Sequence, residues 1–457
     1  MKFSPQRILW RIATLTILLC VVTPTFTRAT ETTSKPDVLA AYVARPDDSF
    51  AWREVAKGRV GGAEYVEYVM TSQTWRGIPW KHQLFVLRPE NATKTTPALL
   101  FVHGGRWKAE YDTAARPAQL PREALVFARL AKSIRAPVGV LRQVPFEPLF
   151  DRKEDALIAF TFDQYLQTGD DDWPLLLPMV KSAVRAMDVM QSEMQRRWDL
   201  PVSSFTIAGA SKRGWTAWLT AAVDERVMVV APMVIDVLNM RAQMAHQHAT
   251  WGAVSEEIGD YSALDLPARL ATDRGSQLLS IVDPYNYRDR LAKSKLILLS
   301  TNDRYWPLDA LKLYWGDLPE PKRVLYVPNQ GHGLRDADRV VGALSAAHRY
   351  AARNEPMPHI SWTFAAHEKT LSIRVDLDRR PQRMLVWSTH SPSRDFREAH
   401  WTSRACARTP EGFDCTAQRA TTGYTAAFAE AAFKDEGEPL FSISTTVCIA
   451  QAQSASC

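Results

Sequence analysis

The segment PALLFVHGG, residues 97–105, runs through unbroken apolar positions and stops at paired glycines, the pattern of a parallel strand buried on both faces. Similar runs recur at 137–144 (PVGVLRQV), 205–208, 227–235 (VMVVAPMVI), 295–301 (KLILLST) and 323–328 (RVLYVP). Between them the periodicity turns helical, in REALVFARLAKSI, KEDALIAFTFDQYL and WPLLLPMVKSAVRAMDVMQSEMQRRW. Strands alternating with helices predict a mostly parallel sheet with helices on both faces. Shorter strand patterns at 65–69 and 82–88 precede this alternation. A polar, partly helical stretch at 237–291, rich in His, Gln and aromatics, interrupts it and is expected to form a cap inserted over the C-terminal edge of the sheet. After the helix pattern DADRVVGALSAAHRYAAR, Pro356 and Pro358 mark a linker. The alternating ISWTFAA, TLSIRVDL and RMLVWSTH that follow predict a small β-sandwich-like domain over 355–457, behind a first domain at 38–354.

The first residues change the picture of where this body works. Lys2, Arg7 and Arg11 precede an apolar run at 12–22 that falls short of the about 20 residues of a membrane span and suits a secretory signal. Residues 1–29 are expected to be that signal, cut after Ala29, with 30–37 as a linker. The chain is then exported, periplasmic or secreted, with no stable span in its mature form; an uncleaved anchor stays open. Attachment of lipid at Cys20 is disfavoured by Leu19, where a small residue is required. Cys406, Cys415, Cys448 and Cys457 all fall in the final β segment and read as disulfides, the short loops 406–415 and 448–457 being the simplest pairing. Tight Cys-x-x-Cys spacing is missing, which argues against structural zinc. At 457 residues, 46% hydrophobic and 23% charged, the chain is a core-forming globular protein of more than one unit. The net charge of +6 is scattered, with no basic block to read as a nucleic-acid surface. No cofactor or metal is expected, and oligomeric state is left open.

Candidate chemistry centres on SSFTIAGASKRGWTAWLTAAVDERV. A nucleophilic serine needs a sharp strand-to-helix turn between small residues, the requirement written in Gly-x-Ser-x-Gly. Here Gly209 stands two before Ser211, but the following glycine, Gly214, stands three after it; a plain helix-start serine is the competing reading. Order along the chain favours the nucleophile: Asp303 follows the strand pattern at 295–301, and His332 follows the next, between two glycines. Ser211, Asp303 and His332 are the expected triad, with Asp309 the runner-up acid. The oxyanion would take donors from the Lys212 N–H at the helix start and from the turn at Gly104, Gly105 and Arg106, which His103 would order. Lys212 and Arg213 read either as solvated helix-surface cations or as contacts to the oxyanion or to an anionic substrate. Arg213, Arg106, Trp215 and His246 are the candidates for contacting substrate. His246, His248, Trp251, Glu256, Glu257 and Asp260 cluster in the insertion and are expected to line the cleft as a polar lid, in preference to a metal site.

TSQTWRG, ALLFVHGG, TFDQYLQTGDDDWPLLLPMVKSAVRAMD, GASKRGWTAWLTAAVDERV, DPYNYRDRL, STNDRYWPLD and VPNQGHGL together resemble the PhoPQ-activated pathogenicity-related protein family, which includes autocrine proliferation repressor proteins. The resemblance spans residues 39–353 and implies an α/β-hydrolase-like fold. The GASK segment is also similar to the GCSR of glucuronoyl esterases, a resemblance that implies an oxyanion-hole role for the basic residue, Lys212 here. The expected function is an exported serine hydrolase cleaving a small-molecule or glycan-linked carboxylic ester, with an anionic or sugar-containing substrate in view. The alternatives are a serine peptidase or amidase, and a non-catalytic signalling or virulence-related binding protein on a hydrolase scaffold.

Overall fold

The computed structural model describes residues 1–2, 37–93, 97–113 and 120–452. The expected signal at 1–29 and linker at 30–37 therefore lie almost wholly outside the described residues. The first part of the chain supplies strands β1 (Ala51–Val60), β2 (Ala63–Trp75), β3 (Ile78–Pro89), β4 (Ala98–Val102), β5 (Val138–Leu141), β6 (Phe205–Ala210), β7 (Val227–Met233), β8 (Ser294–Ser300) and β9 (Lys322–Val327). They lie side by side in the order β1-β2-β3-β5-β4-β6-β7-β8-β9. The first three form an antiparallel meander joined antiparallel to β5, and from β5 to β9 every pairing is parallel. The inner parallel strands are buried almost residue by residue, which is why their sequences are continuous apolar runs and not alternating ones.

Helices cover both faces. Glu154–Thr168, Leu176–Trp198 and Lys212–Val223 pack on one, with Leu157, Met187 and Trp218 in the core against the sheet. Ala124–Ile134 and Ala337–Ala352 pack on the other through Phe127, Leu130 and Leu344. This strand order, with α-helices following β4, β5, β6, β7 and β9, is that of an α/β-hydrolase. Residues 240–290, between β7 and β8, form the inserted helices.

The expected C-terminal β region is present, and its strands also continue the main sheet. They are β10 (Ile360–Ala366), β11 (Thr370–Leu377), β12 (Arg383–Ser391), β13 (Thr402–Ala405), β14 (Ala407–Arg408), β15 (Phe413–Gln418), β16 (Tyr424–Phe433), β17 (Phe441–Ser444) and β18 (Cys448–Gln451). β17 pairs antiparallel with β9 through Ser444 and Val324, so the main sheet continues outward as β17-β16-β12-β13. A second sheet, β10-β11-β15-β14, packs over that extension on Ile373, Val375, Val386 and Ile443. From Asp37 onward the chain is one compact unit; β9 would otherwise be an open edge, and covering it removes a row of unpaired backbone groups. Cys406 and Cys415 form a disulfide beside β14 and β15. The other expected loop ends at Cys457, outside the described residues.

Candidate active site

At the end of β6 the chain turns straight into the helix Lys212–Val223, and Ser211 carries the turn at φ 57°, ψ −131°. A side chain is strained there, and such strain persists only where the surroundings enforce it. The Ser211 N–H donates to Met233 O of β7 at 2.8 Å, and the helix passes so close to the sheet that a Cβ on Gly214 would sit 2.7 Å from Ile235 Cγ2 and 2.8 Å from Gly209 O. The second glycine of the elbow has therefore moved one residue along because close helix-to-sheet contact occurs at 214. Arg213, at the position the usual spacing gives to glycine, turns its guanidinium toward Gly104 and Val144 O.

Asp303 and His332 follow β8 and β9. His332 Nδ1 lies 3.1 and 3.0 Å from the two oxygens of Asp303, and the Tyr305 N–H donates to Asp303 Oδ1 at 2.9 Å. The Tyr305 ring covers the imidazole at a centroid distance of 4.2 Å. His332 Nε2 is buried and has no hydrogen-bond partner among the described residues. Ser211 and His332 line the same pocket, a cavity of about 70 Å³. Asp309, the other acid considered, sits in a different cluster, 2.6 Å from each of His246 Nε2, Lys312 Nζ and Arg394 Nη2.

The two cations after the serine are paired with carboxylates, Lys212 buried on the pocket wall and Arg213 half-buried away from it. Lys212 is 6% exposed; its Nζ lies 2.8 Å from Glu154 and 3.3 Å from Asp155. Arg213 donates to both Glu154 oxygens at 2.8 and 2.9 Å and to Val144 O at 2.5 Å. Its guanidinium presses on Gly104 so closely that a Cβ there would overlap it. Burial alone would raise the Glu154 carboxyl, but the hydrogen bonds and charge of Arg213, then Lys212, hold it at about 2. Asp155 completes the cluster, accepting from Tyr261 Oη at 3.2 Å and Tyr305 Oη at 3.4 Å.

The remaining expected residues divide in the same way. Trp215 is a pocket wall, with its indole N–H donated to Val282 O at 2.6 Å. Arg106 is exposed, and neither it, Gly104, Gly105, Arg213 nor His246 is among the pocket-lining residues. His103 Nδ1 lies 3.0 Å from Gly104 O, within the turn it was expected to order, and burial lowers its pKa. The polar lid differs from expectation. Glu256 and Glu257 pair with Arg304, Trp251 lies beneath Arg397, and His248 and Asp260 are exposed. The insertion offers the pocket Met240, Met244, Ile258, Tyr261, Leu266 and Leu270 instead, because its helices turn their polar faces to solvent.

Sequence reasoning overlooked the partners of these groups. Glu154 and Asp155 were legible only as an acidic helix start, although two carboxylates there match two cations at another helix start. The C-terminal region contributes a clamp that no motif announced. The Asn302 amide donates to Ala399 O at 2.7 Å and Arg397 O at 3.2 Å, while Asn329 exchanges two hydrogen bonds with the Trp401 backbone at 3.0 and 2.8 Å. These asparagines stand in the loops that carry Asp303 and His332, and the Asn302 N–H donates across to Gln330 O at 3.0 Å.

Among solved structures, the chain is similar to acetyl xylan esterase 1 from Thermoanaerobacterium sp. JW/SL YS485, with TM-score 0.46, 15% identity, and coverage of 68% of this chain and 92% of that one. It is also similar to a glucuronoyl esterase from Solibacter usitatus, with TM-score 0.38, 14% identity, and coverage of 69% and 92%. Autocrine proliferation repressor protein A of Dictyostelium discoideum is 31% identical over 386 residues, covering 78% of this chain and 75% of that protein. The family model described as PhoPQ-activated pathogenicity-related protein matches residues 39–397. With the match extending over most of the chain and through the elbow and both loops that follow β8 and β9, the protein belongs to the PhoPQ-activated pathogenicity-related protein family.

Proposed function

We propose that the protein is an exported serine hydrolase that cleaves a carboxylic ester through an acyl-enzyme on Ser211. The observation that carries this reading is that a strained elbow serine and a histidine line the same pocket, the histidine held at Nδ1 by Asp303 while its Nε2 has no hydrogen-bond partner among the described residues. In the first step Ser211 Oγ attacks the ester carbonyl and His332 Nε2 takes its proton. The oxyanion forms beside the Lys212 N–H, which has no intrahelical acceptor at the first turn. Collapse breaks the bond to the alkoxy oxygen, and His332 returns the proton to the departing alcohol. Water then attacks the acyl-enzyme by the same route, releasing the acid and restoring Ser211. Asp303 holds the imidazole tautomer and offsets its positive charge. Export is supported by the Cys406–Cys415 disulfide, a bond that persists in oxidising compartments.

A fluorophosphonate probe, which reacts with activated serines, tests this directly. Labelling of the purified protein that is lost in Ser211→Ala and His332→Ala, alongside turnover in a panel of esters and aminoacyl amides, is the expected result. A folded wild-type protein that neither labels nor turns over any member removes the hydrolase reading and leaves a scaffold.

A further inference from the structure

We infer that the substrate of this site carries an uncharged apolar group of several carbons, seated in the pocket beneath the inserted helices; the inference rests on the serine hydrolase reading. Phe162 and Trp215 form one wall, Trp306 another, and Ile258, Leu266 and Leu270 descend from the insertion. Protein interiors are close-packed, so a cavity of about 70 Å³ lined by large apolar side chains and opening on Ser211 and His332 is a receptacle and not a fold requirement. Met240 and Met244, one helical turn apart, add flexible thioether surface that can follow the shape of an alkyl or aromatic group.

Charge on the substrate has no counterpart here. The charged residues and histidine of the lining are Asp155, Lys212 and His332, beside the phenols of Tyr261 and Tyr305. Lys212 is matched by Glu154 and Asp155, Asp155 by Lys212 and two tyrosine hydroxyls, and His332 by Asp303. Arg213, the cation that made a carboxylated ester attractive, is turned toward Gly104 and Val144 and bound to Glu154. A substrate carboxylate or ammonium would have to be desolvated against groups whose partners are already in place, which costs free energy with no compensating pair.

The consequence can be scaled. Burying a methylene is worth about 0.8 kcal/mol, so kcat/KM should rise about fourfold per added carbon until the pocket is filled. Two ester series read it, p-nitrophenyl acyl esters from acetate to octanoate and acetates of linear alcohols from ethanol to octanol. Beside them run the methyl ester of glucuronic acid and esters bearing a free carboxylate, with fluorophosphonate labelling of Ser211 measured on the same preparation. A rise of at least tenfold along either series supports the inference, and the series that rises shows which side of the ester enters the pocket. Flat profiles in both series, or a preference for the glucuronate or carboxylate-bearing esters while Ser211 still labels, overturn it and leave the hydrolase reading standing. No labelling and no turnover overturn both. Met244→Trp and Ile258→Trp, each checked for folding by circular dichroism, should reduce the long-to-short ratio at least fivefold; two folded variants with the wild-type ratio count against the pocket.

Discussion

Arg213 separates a substrate-binding role from a structural one, and its removal has a calculable cost. Arg213→Ala deletes three donated hydrogen bonds, one to Val144 O and two to Glu154. Val144 is fully buried, and stranding its carbonyl costs about 1–3 kcal/mol. The ion pair is discounted because the Glu154 side chain is 43% exposed, and pairs of that kind are worth about 1 kcal/mol or less. Glu154 keeps Lys212 at 2.8 Å, which limits the damage. The sum is a loss of about 3 kcal/mol, of which a double-mutant cycle with Glu154→Gln should assign about 1 kcal/mol to the pair. Urea unfolding followed by tryptophan fluorescence reads the stability. On the kinetic side, kcat should fall by the same factor for neutral and carboxylate-bearing esters, because the change acts through the Gly104 turn. The acid dependence has a definite sign. Glu154 sits below its ordinary value, at about 2, so its contribution is complete above about pH 4.5 and is lost as pH falls toward 2; Glu154→Gln should flatten that limb. An unchanged urea midpoint in Arg213→Ala, with KM raised only for carboxylate-bearing esters, would refute the structural reading.

Other consequences follow from neighbouring features. Asn302→Ala and Asn329→Ala should each lower kcat about tenfold with KM little changed, since about 1.4 kcal/mol of lost positioning is a factor of ten; steady-state kinetics that move KM instead would remove the clamp. Asp236, fully buried and bonded to Tyr314 Oη at 2.5 Å, is pushed up to about 7 by burial, against that hydrogen bond, with Asp303 and Asp309 adding to the rise. Its neutral form is the one the fold prefers, so its contribution is complete below about pH 4 and lost as pH rises through 7. Asp236→Asn should therefore gain stability relative to wild type, on the order of a few kcal/mol at most, between pH 4.5 and 8, read from urea midpoints. Removing the Cys406–Cys415 disulfide, with a sequence separation of 9, should cost about 2.5 kcal/mol if the cross-link acts through loop entropy; a Cys406→Ala/Cys415→Ala pair with an unshifted midpoint would exclude that.

The parallel character of the sheet and the candidate positions at its edge were legible because they depend on local pattern. Parallel strands buried on both faces must be apolar throughout, and each ends where Gly, Ser, Asp or His can be exposed at the carboxyl edge. Ser211, Asp303 and His332 each fall just beyond such a run, so their meeting follows from the parallel topology alone. The choice of Asp303 over Asp309 had the same basis, a loop position against a helix start.

What sequence could not decide was how each charged side chain is neutralised and which face of each inserted helix turns inward. Lys212 and Arg213 look alike beside the serine, yet their roles depend on Glu154 and Asp155, which reach them only after an intervening strand and helix have packed. The insertion's clustered His, Glu and Gln residues suggest a polar lid, but a helix needs only one apolar stripe to line a pocket. The C-terminal strands alternate like those of an independent sandwich. That they extend the main sheet is set by one backbone pairing at Ser444 and Val324, and backbone hydrogen bonding carries no side-chain signature. Local periodicity thus determined the α/β scaffold and the candidate residues at its sheet edge, while long-range charge pairing and edge pairing, which are tertiary by nature, decided the character of the pocket and the clamp around it.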